Sequence, residues 1–137
     1  MNELERFIKA QEGIYEQALE EIKRGRKTSH WMWFIFPQIK GLGLSSTSQF
    51  YAIRDLNEAE EFLMHPILGR RLKEISNELL QQPGNDAHTI FGSPDDMKLK
   101  SSMTLFSLVK DSNPVFELVL KKFFNGEKDM RTEEIIA

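Results

Sequence analysis

Residues 31–37 form an apolar run, Trp-Met-Trp-Phe-Ile-Phe-Pro, with no polar face. Such a run must be buried, so the rest of the chain has to supply a core around it. The closing proline ends the segment, because it lacks a backbone donor and restricts the residue before it. A run this short fits an extended piece and a short helix equally well, so both alternatives stay open.

Apolar residues recur at helical spacing along most of the remaining chain. In residues 3–23 they form a stripe that includes Phe7, Ala18 and Ile22, which predicts a first helix stopped by Gly25. The next helices are expected to end before residue 66, to span residues 67–80, and to span residues 87–91. Two more should begin at the prolines at 94 and 114 and run to about residues 109 and 125, with a last turn at residues 132–134. The pattern predicts a mainly α, single compact domain of about six helices over residues 1–137, with residues 31–36 as the one candidate for an extended segment.

The composition is that of one self-sufficient domain. The chain has 137 residues, of which 40% are hydrophobic and 28% charged, enough for one core. It has no cysteine, which excludes disulfides, thiolate metal sites and a cysteine nucleophile. Neither a signal peptide nor an apolar run long enough to span a membrane is present, so we expect a cytoplasmic protein. The net charge of −3 gives no overall attraction to nucleic acid, and we expect none as a partner.

A polar stripe marks the predicted helix at residues 94–109. Lys98, Ser101 and Ser102 lie at i, i+3 and i+4, so they share one face of an otherwise apolar helix. An ammonium group and two hydroxyls are suited to a phosphate or a sugar. The alternative is that the lysine reaches solvent and the serines bond back to backbone carbonyls.

The segment before and within the aromatic run holds two further candidate features. His30 is suited to acid–base chemistry or to stacking against a ligand, or it is a hydrogen-bonded residue at the edge of the core. In an extended chain, Trp31 and Trp33 would face the same side and offer a wall for a flat base, although core packing is the commoner use. No second histidine lies at helical spacing from His30, so no metal site is predicted.

Six stretches resemble an uncharacterised bacterial family, domain-of-unknown-function family 1810, whose members are often labelled calpastatin. They are residues 29–38, 41–43, 45–53, 65–72, 91–92 and 96–106. The resemblance covers nearly the whole chain. Calpastatin inhibits a protease through a disordered segment, whereas this chain is predicted to be globular, so we infer no function from that label.

A more distant resemblance is to the NADAR family, a helical family associated with NAD and ADP-ribose metabolism that includes N-glycosidases. It rests on residues 46–52, 58–60, 65–70 and 98–106. Where that family has Ser-Glu-His, this chain has Ser48-Gln49-Phe50, so the carboxylate expected from the resemblance is missing. An amide can bind a nucleotide but cannot act as a general base, so any acid or base must come from His30, Asp95 or Asp96.

The sequence therefore predicts a pocket for an ADP-ribose-like or ribosyl-phosphate ligand, with hydrolysis of an N-glycosidic bond as the reaction to test. No metal and no cofactor are expected. The alternative is a non-enzymatic domain in which the aromatic run and the helix at residues 113–125 present an apolar face to a protein partner. The predicted ligand contacts are Trp31, Trp33, Ser46, Ser48, Gln49, Lys98, Ser101 and Ser102.

Overall fold

The polypeptide is built from short helices joined by tight turns. The computed structural model describes residues 3–137. Within this range there are ten helices: α1 Glu5–Gln11, α2 Tyr15–Lys23, α3 Met32–Ile35, α4 Ser46–Phe50, α5 Leu56–Met64, α6 Leu68–Gln81, α7 Ala87–Phe91, α8 Asp95–Ser107, α9 Val115–Phe124 and α10 Met130–Ile136. They surround one core, so the predicted mainly α single domain is confirmed, whereas the predicted number of about six helices is wrong.

The additional helices come from one predicted helix that is divided and from short segments that were not among the six predicted helices. The first predicted helix is divided into α1 and α2 at Gly13, whose φ of 71° is not helical although the apolar stripe continues on both sides. The aromatic run forms the one-turn helix α3, so its extended alternative is excluded. α4 closes the glycine-containing loop, and the last turn is a full helix, α10.

Side chains cap several of these helices, as short polar residues are expected to do. Ser45 accepts a hydrogen bond from the backbone N–H of Ser48 at α4, and Asp55 caps α5 in the same way. Asp86 caps α7, whose span at residues 87–91 was predicted. Asp129 begins α10 earlier than expected, because its carboxylate accepts from both the amide and the hydroxyl of Thr132.

The start of α8 differs from the prediction by one residue. The prediction began this helix at residue 94, but Pro94 occupies the cap position, without a side-chain hydrogen bond, and Asp95 is the first helical residue. Asp95 and Asp96 lie in the first turn, where the helix dipole favours negative charge. The helix ends at Ser107, two residues before the predicted end.

α8 forms the centre of the packing. It packs against α5, α7, α9 and α10, while α6 packs against α2, α5 and α9. Seven of the thirteen side chains of α8 are buried, among them Ser101, Ser102 and Thr104, so part of its polar sequence faces the core. Trp31, Phe36, Phe62, Phe106 and Phe116 are the bulkiest part of this core.

Two close contacts fix the course of the chain, one at the ends of the segment that carries α4 and one between α5 and α6. Ile39 and Ile53 form an isolated parallel bridge, with Ile53 N–H donating to Gln38 O and Lys40 N–H donating to Ile53 O, both at 2.8 Å. This bridge pins both ends of the segment that carries α4. Elsewhere, α5 and α6 meet closely at Gly69, where a β-carbon would overlap the carbonyl oxygen of Leu63.

Candidate functional site

An aromatic groove of about 580 Å³ lies between α3 and α4 and is open to solvent. Its size falls within the usual range for small-molecule sites. Four aromatic rings, an imidazole and two hydroxyls form its lining: His30, Trp33, Phe34, Ser46, Thr47, Phe50 and Tyr51. Of the predicted site residues, the groove therefore brings together His30, Trp33 and Ser46.

Tyr51 holds the aromatic lining together. Its ring centroid lies 5.4 Å from that of Phe34, 4.8 Å from Phe50 and 6.0 Å from Phe7. Phe7 is fully buried, so this ring connects the groove to the core. Phe50 is 58% exposed, a high value for a large apolar side chain, and its ring stands edge-on to that of Tyr51. One side of Phe50 is therefore free to contact a ligand.

The two tryptophans do not form one wall, contrary to the prediction. Residues two apart in a helix point about 200° away from each other, whereas in a strand they point the same way. Because Met32–Ile35 is helical, Trp31 is fully buried while Trp33 reaches the groove. Trp31 thus offers no surface to a ligand.

A buried carboxylate fixes the segment that leads into α3. Glu21, on α2, accepts hydrogen bonds from the backbone N–H groups of Thr28 and Ser29, at 2.7 and 3.2 Å. It also accepts from the hydroxyl of Ser29 and from the indole Nε1 of Trp31, at 2.5 and 2.9 Å. This carboxylate therefore sets the path of the chain on both sides of His30.

The environment of Glu21 strongly favours its ionised form. Burial opposes ionisation, but the hydrogen bonds from Ser29, Thr28, Trp31 and Gln17 outweigh it and lower the pKa of Glu21 to about 2. The carboxylate is therefore charged at neutral pH and acts as an anchor for the segment.

Behind Trp33 lies a charge cluster of Lys27, Asp95 and Lys98. The Asp95 carboxylate lies 2.8 Å from Lys27 Nζ and 3.4 Å from Lys98 Nζ. Lys98 Nζ in turn lies 4.9 Å from the ring centroid of Trp33, at cation–π distance. The predicted residues Lys98 and Asp95 therefore lie next to the groove, although neither belongs to its lining.

The remaining predicted contacts on α4 point away from the groove. Ser48 lines a crevice of about 10 Å³ beside Trp33, and its hydroxyl donates to Ser45 O. A β-carbon on Gly43 would clash with Ser48, so this glycine allows the loop to lie against α4. Gln49 donates to Leu44 O and faces a different groove.

Ser101, Ser102 and Asp96 also lie away from the groove. Ser101 is buried and its hydroxyl bonds back to Met97 O at 3.2 Å, the alternative left open by the sequence. Ser102 is fully buried, and its hydroxyl has no hydrogen-bond partner among the described residues. Asp96 contacts His88 at 3.5 Å instead of His30 or Lys98.

Sequence reasoning missed most of the aromatic lining and the anchor. Phe34, Phe50 and Tyr51 were not predicted, because the sequence alone does not show that these rings meet at one surface. A signal for Glu21 was present. It follows Ala18 by three residues on the apolar stripe of α2, and a carboxylate at a buried helical position needs dedicated partners.

Two cavities of similar size occur elsewhere in the described part of the chain, along with a smaller one of about 230 Å³ between α2 and α6. One, of about 760 Å³, adjoins the aromatic groove at Phe50. Most of its lining side chains are charged, and the uncharged Gln49 also lines it. The other, of about 510 Å³, lies between α5 and the turn before α9. Within residues 3–137, no three acidic or histidine side chains are grouped as metal ligands. No helix in that range is long and apolar enough to cross a membrane.

Fold and site together define a single-domain helical protein with a solvent-facing aromatic groove. The chain belongs to the family described as "Protein of unknown function (DUF1810)", whose model matches residues 1–136. This confirms the first resemblance; the NADAR resemblance stays a prediction.

A solved structure has the same fold. It is the crystal structure of the conserved hypothetical protein Rv1873 from Mycobacterium tuberculosis, with a TM-score of 0.95 and 45% sequence identity. The similarity covers 97% of this chain and 95% of that one. No curated protein matches the chain.

Proposed function

We propose that the aromatic groove binds a ribosylated, phosphorylated base of the ADP-ribose type. The supporting observation is the lining itself, in which four aromatic rings lie beside the hydroxyls of Ser46 and Thr47. Aromatic rings hold a flat base by stacking, and hydroxyls pair with the ribose. Lys98, whose ammonium group lies 4.9 Å from the ring centroid of Trp33, can supply a positive charge for a phosphate. The distant NADAR resemblance points to the same class of ligand.

The protein-interaction alternative has less support. In that alternative the aromatic run would present an apolar face to a partner. Four of its side chains are at most 2% exposed: Trp31, Met32, Ile35 and Phe36. α9 likewise buries four of its apolar side chains and leaves Leu118 as its main exposed one. We also propose a cytoplasmic location, which the absence of cysteine favours.

A thermal-shift titration tests binding. Purified protein is heated with ADP-ribose, NAD or ribose 5-phosphate, alongside the Phe50→Ala and Trp33→Leu variants. A ligand at about 100 times its dissociation constant should stabilise the fold by roughly 2.7 kcal/mol, a shift of several degrees for this size. We expect the shift to be lost in both variants and kept in Leu118→Ala, an exposed apolar position on α9. The absence of a shift with every ligand, or a shift that survives both groove variants, would overturn the proposal.

Hydrolysis of the N-glycosidic bond is a narrower proposal that one observation favours. His30 lines the groove, and imidazole is the side chain that most readily exchanges a proton near neutral pH. In the proposed reaction it protonates the departing base, while water bonds to the ribose carbon and gives its proton to solvent. Asp95 is a weaker candidate, because two lysines already bind it. Chromatographic detection of free base, lost in His30→Gln with binding retained, is the expected result. No base release from a bound ligand would limit the function to binding.

A further inference from the structure

We infer that the aromatic groove selects its ligand by ring charge, binding a nucleotide with a neutral base and rejecting one with a cationic ring such as oxidised nicotinamide. This rests on the proposed function and narrows its ligand class. The supporting observation is the position of the Lys98 ammonium group, which lies 4.9 Å from the ring centroid of Trp33. A ring stacked on that indole comes within about 8 Å of a fixed positive charge.

One carboxylate balances the charge of Lys98 only in part. Asp95 is its one described acidic partner, and this carboxylate also binds Lys27, whose side chain is 8% exposed. Lys27, Asp95 and Lys98 together carry one excess positive charge, and the ionised carboxylate of Glu21 lies on the Trp31 side of this cluster, where it accepts from the indole Nε1. The side chain of Lys98 is 26% exposed, so water screens its charge less than that of a fully solvated lysine.

The other side of the groove has the same sign. At Phe50 it adjoins the cavity of about 760 Å³, whose charged lining consists of four basic and three acidic side chains. None of the described residues that line the aromatic groove carries a carboxylate. A cationic ring would thus find no counter-charge there, although the whole chain has a net charge of −3.

The same field favours the phosphate of a nucleotide. An anion gains from the excess positive charge on both sides, whereas a cationic ring attached to that phosphate loses at the stacking position. A unit charge about 8 Å from another at the effective dielectric of a protein surface changes affinity by on the order of tenfold. The expected selectivity is therefore against ring charge, independent of ring size.

Isothermal titration calorimetry with three mononucleotides tests the inference. AMP has a neutral base, nicotinamide mononucleotide a cationic ring, and its reduced form a neutral ring of nearly the same shape. We expect AMP and the reduced form to bind about tenfold more tightly than the oxidised form. Lys98→Met should narrow the gap between the two nicotinamide forms to about threefold or less.

Lys100→Met is the matched control. Lys100 lies on the same helix and also contacts an aromatic ring, that of Phe124 at 5.9 Å, which does not line the groove. This variant should keep the tenfold gap. Oxidised and reduced nicotinamide forms binding equally well would overturn the inference and leave the proposed function intact, as would an unchanged gap in Lys98→Met. No binding of any of the three would overturn both.

Discussion

The indole Nε1 of Trp31 donates a 2.9 Å hydrogen bond to Oε1 of Glu21, a pairing that ties the buried end of α3 to α2. Both side chains are shielded from water, Trp31 fully and Glu21 at 3% exposure. Because the same carboxylate binds two backbone amides before His30, it holds the whole entry to the aromatic groove. The groove therefore depends on a residue that does not touch it.

Replacing this anchor should cost stability. We expect Glu21→Gln to lower the free energy of unfolding by about 2–3 kcal/mol at pH 7, since an uncharged amide accepts these hydrogen bonds less strongly. Urea unfolding measures the change. Glu20→Gln, at the neighbouring exposed position, should stay within about 0.5 kcal/mol of the unmodified protein. Equal effects of the two substitutions would show that the anchor contributes nothing special.

The contribution of Glu21 should also depend on pH. Its pKa is about 2 in the folded protein, against an ordinary value of 4.5. The stabilisation is therefore complete above about pH 4.5 and is lost as the pH falls towards 2. The difference in unfolding free energy between the unmodified protein and Glu21→Gln should shrink over this interval. A difference that stays constant from pH 6 to pH 2 would contradict the assignment.

The contact between α5 and α6 should not accept a methyl group. A β-carbon at Gly69 would overlap the carbonyl oxygen of Leu63, so the two helices would have to separate. We expect Gly69→Ala to destabilise the protein by roughly 3 kcal/mol, although alanine favours a helix by about 1 kcal/mol over glycine. Chemical denaturation measures the change in unfolding free energy. Arg70→Ala, at the next position, which is exposed, is the control and should have little effect.

Two buried hydroxyls on α8 should respond in opposite ways. Ser102 has no described hydrogen-bond partner, so Ser102→Ala removes an unsatisfied polar group and should be neutral or stabilising by up to about 1 kcal/mol. Thr104 accepts from the backbone N–H of Asp129 at 2.8 Å, so Thr104→Val leaves that amide unpaired and should cost about 1–3 kcal/mol. Thermal unfolding of both variants is the measurement. A clear loss of stability in Ser102→Ala would mean that its hydroxyl has a partner after all.

The two acidic residues at the start of α8 should differ in importance. Asp95→Asn leaves the buried ammonium of Lys27 without its counter-charge and should cost about 2–3 kcal/mol. Asp96→Asn removes the same charge from the same helical turn, but its partner, the side chain of His88, is 64% exposed. The loss of stability there should be below about 1 kcal/mol. Similar losses in both variants would assign the effect to the helix dipole instead of the charge cluster.

The sequence predicted the helical class, the single domain and several helix ends, because those follow from local patterns. The span of α7 and the stop of α9 at Asn125 are examples. The division of α1 from α2 could not be read from apolar spacing alone, since the stripe continues past Gly13. Whether Trp31 and Trp33 face the same side depends on whether the segment that holds them is helical or extended. No periodicity decides that in so short a run.

Only part of the site could be predicted, because residues far apart in the sequence form it. Lys98 and Trp33 were predicted to share one site, and they lie side by side although they are 65 positions apart. Phe50 and Tyr51 join the groove through the bridge between Ile39 and Ile53, a long-range pairing with no local signature. Ser101 and Ser102 share a face with Lys98, but that face turns into the core one turn later.

The binding of a ribosylated base at Trp33 is tested most directly by the two indole signals in a ¹H–¹⁵N spectrum. The chain has two tryptophans, and Trp33→Phe assigns the signals by removing one. On titration with ADP-ribose, the Trp33 signal should shift progressively. The Trp31 signal should stay in place, since that indole is buried and bound to Glu21. Both signals remaining unchanged at millimolar ligand, or a shift of Trp31 alone, would contradict a ligand site in the aromatic groove.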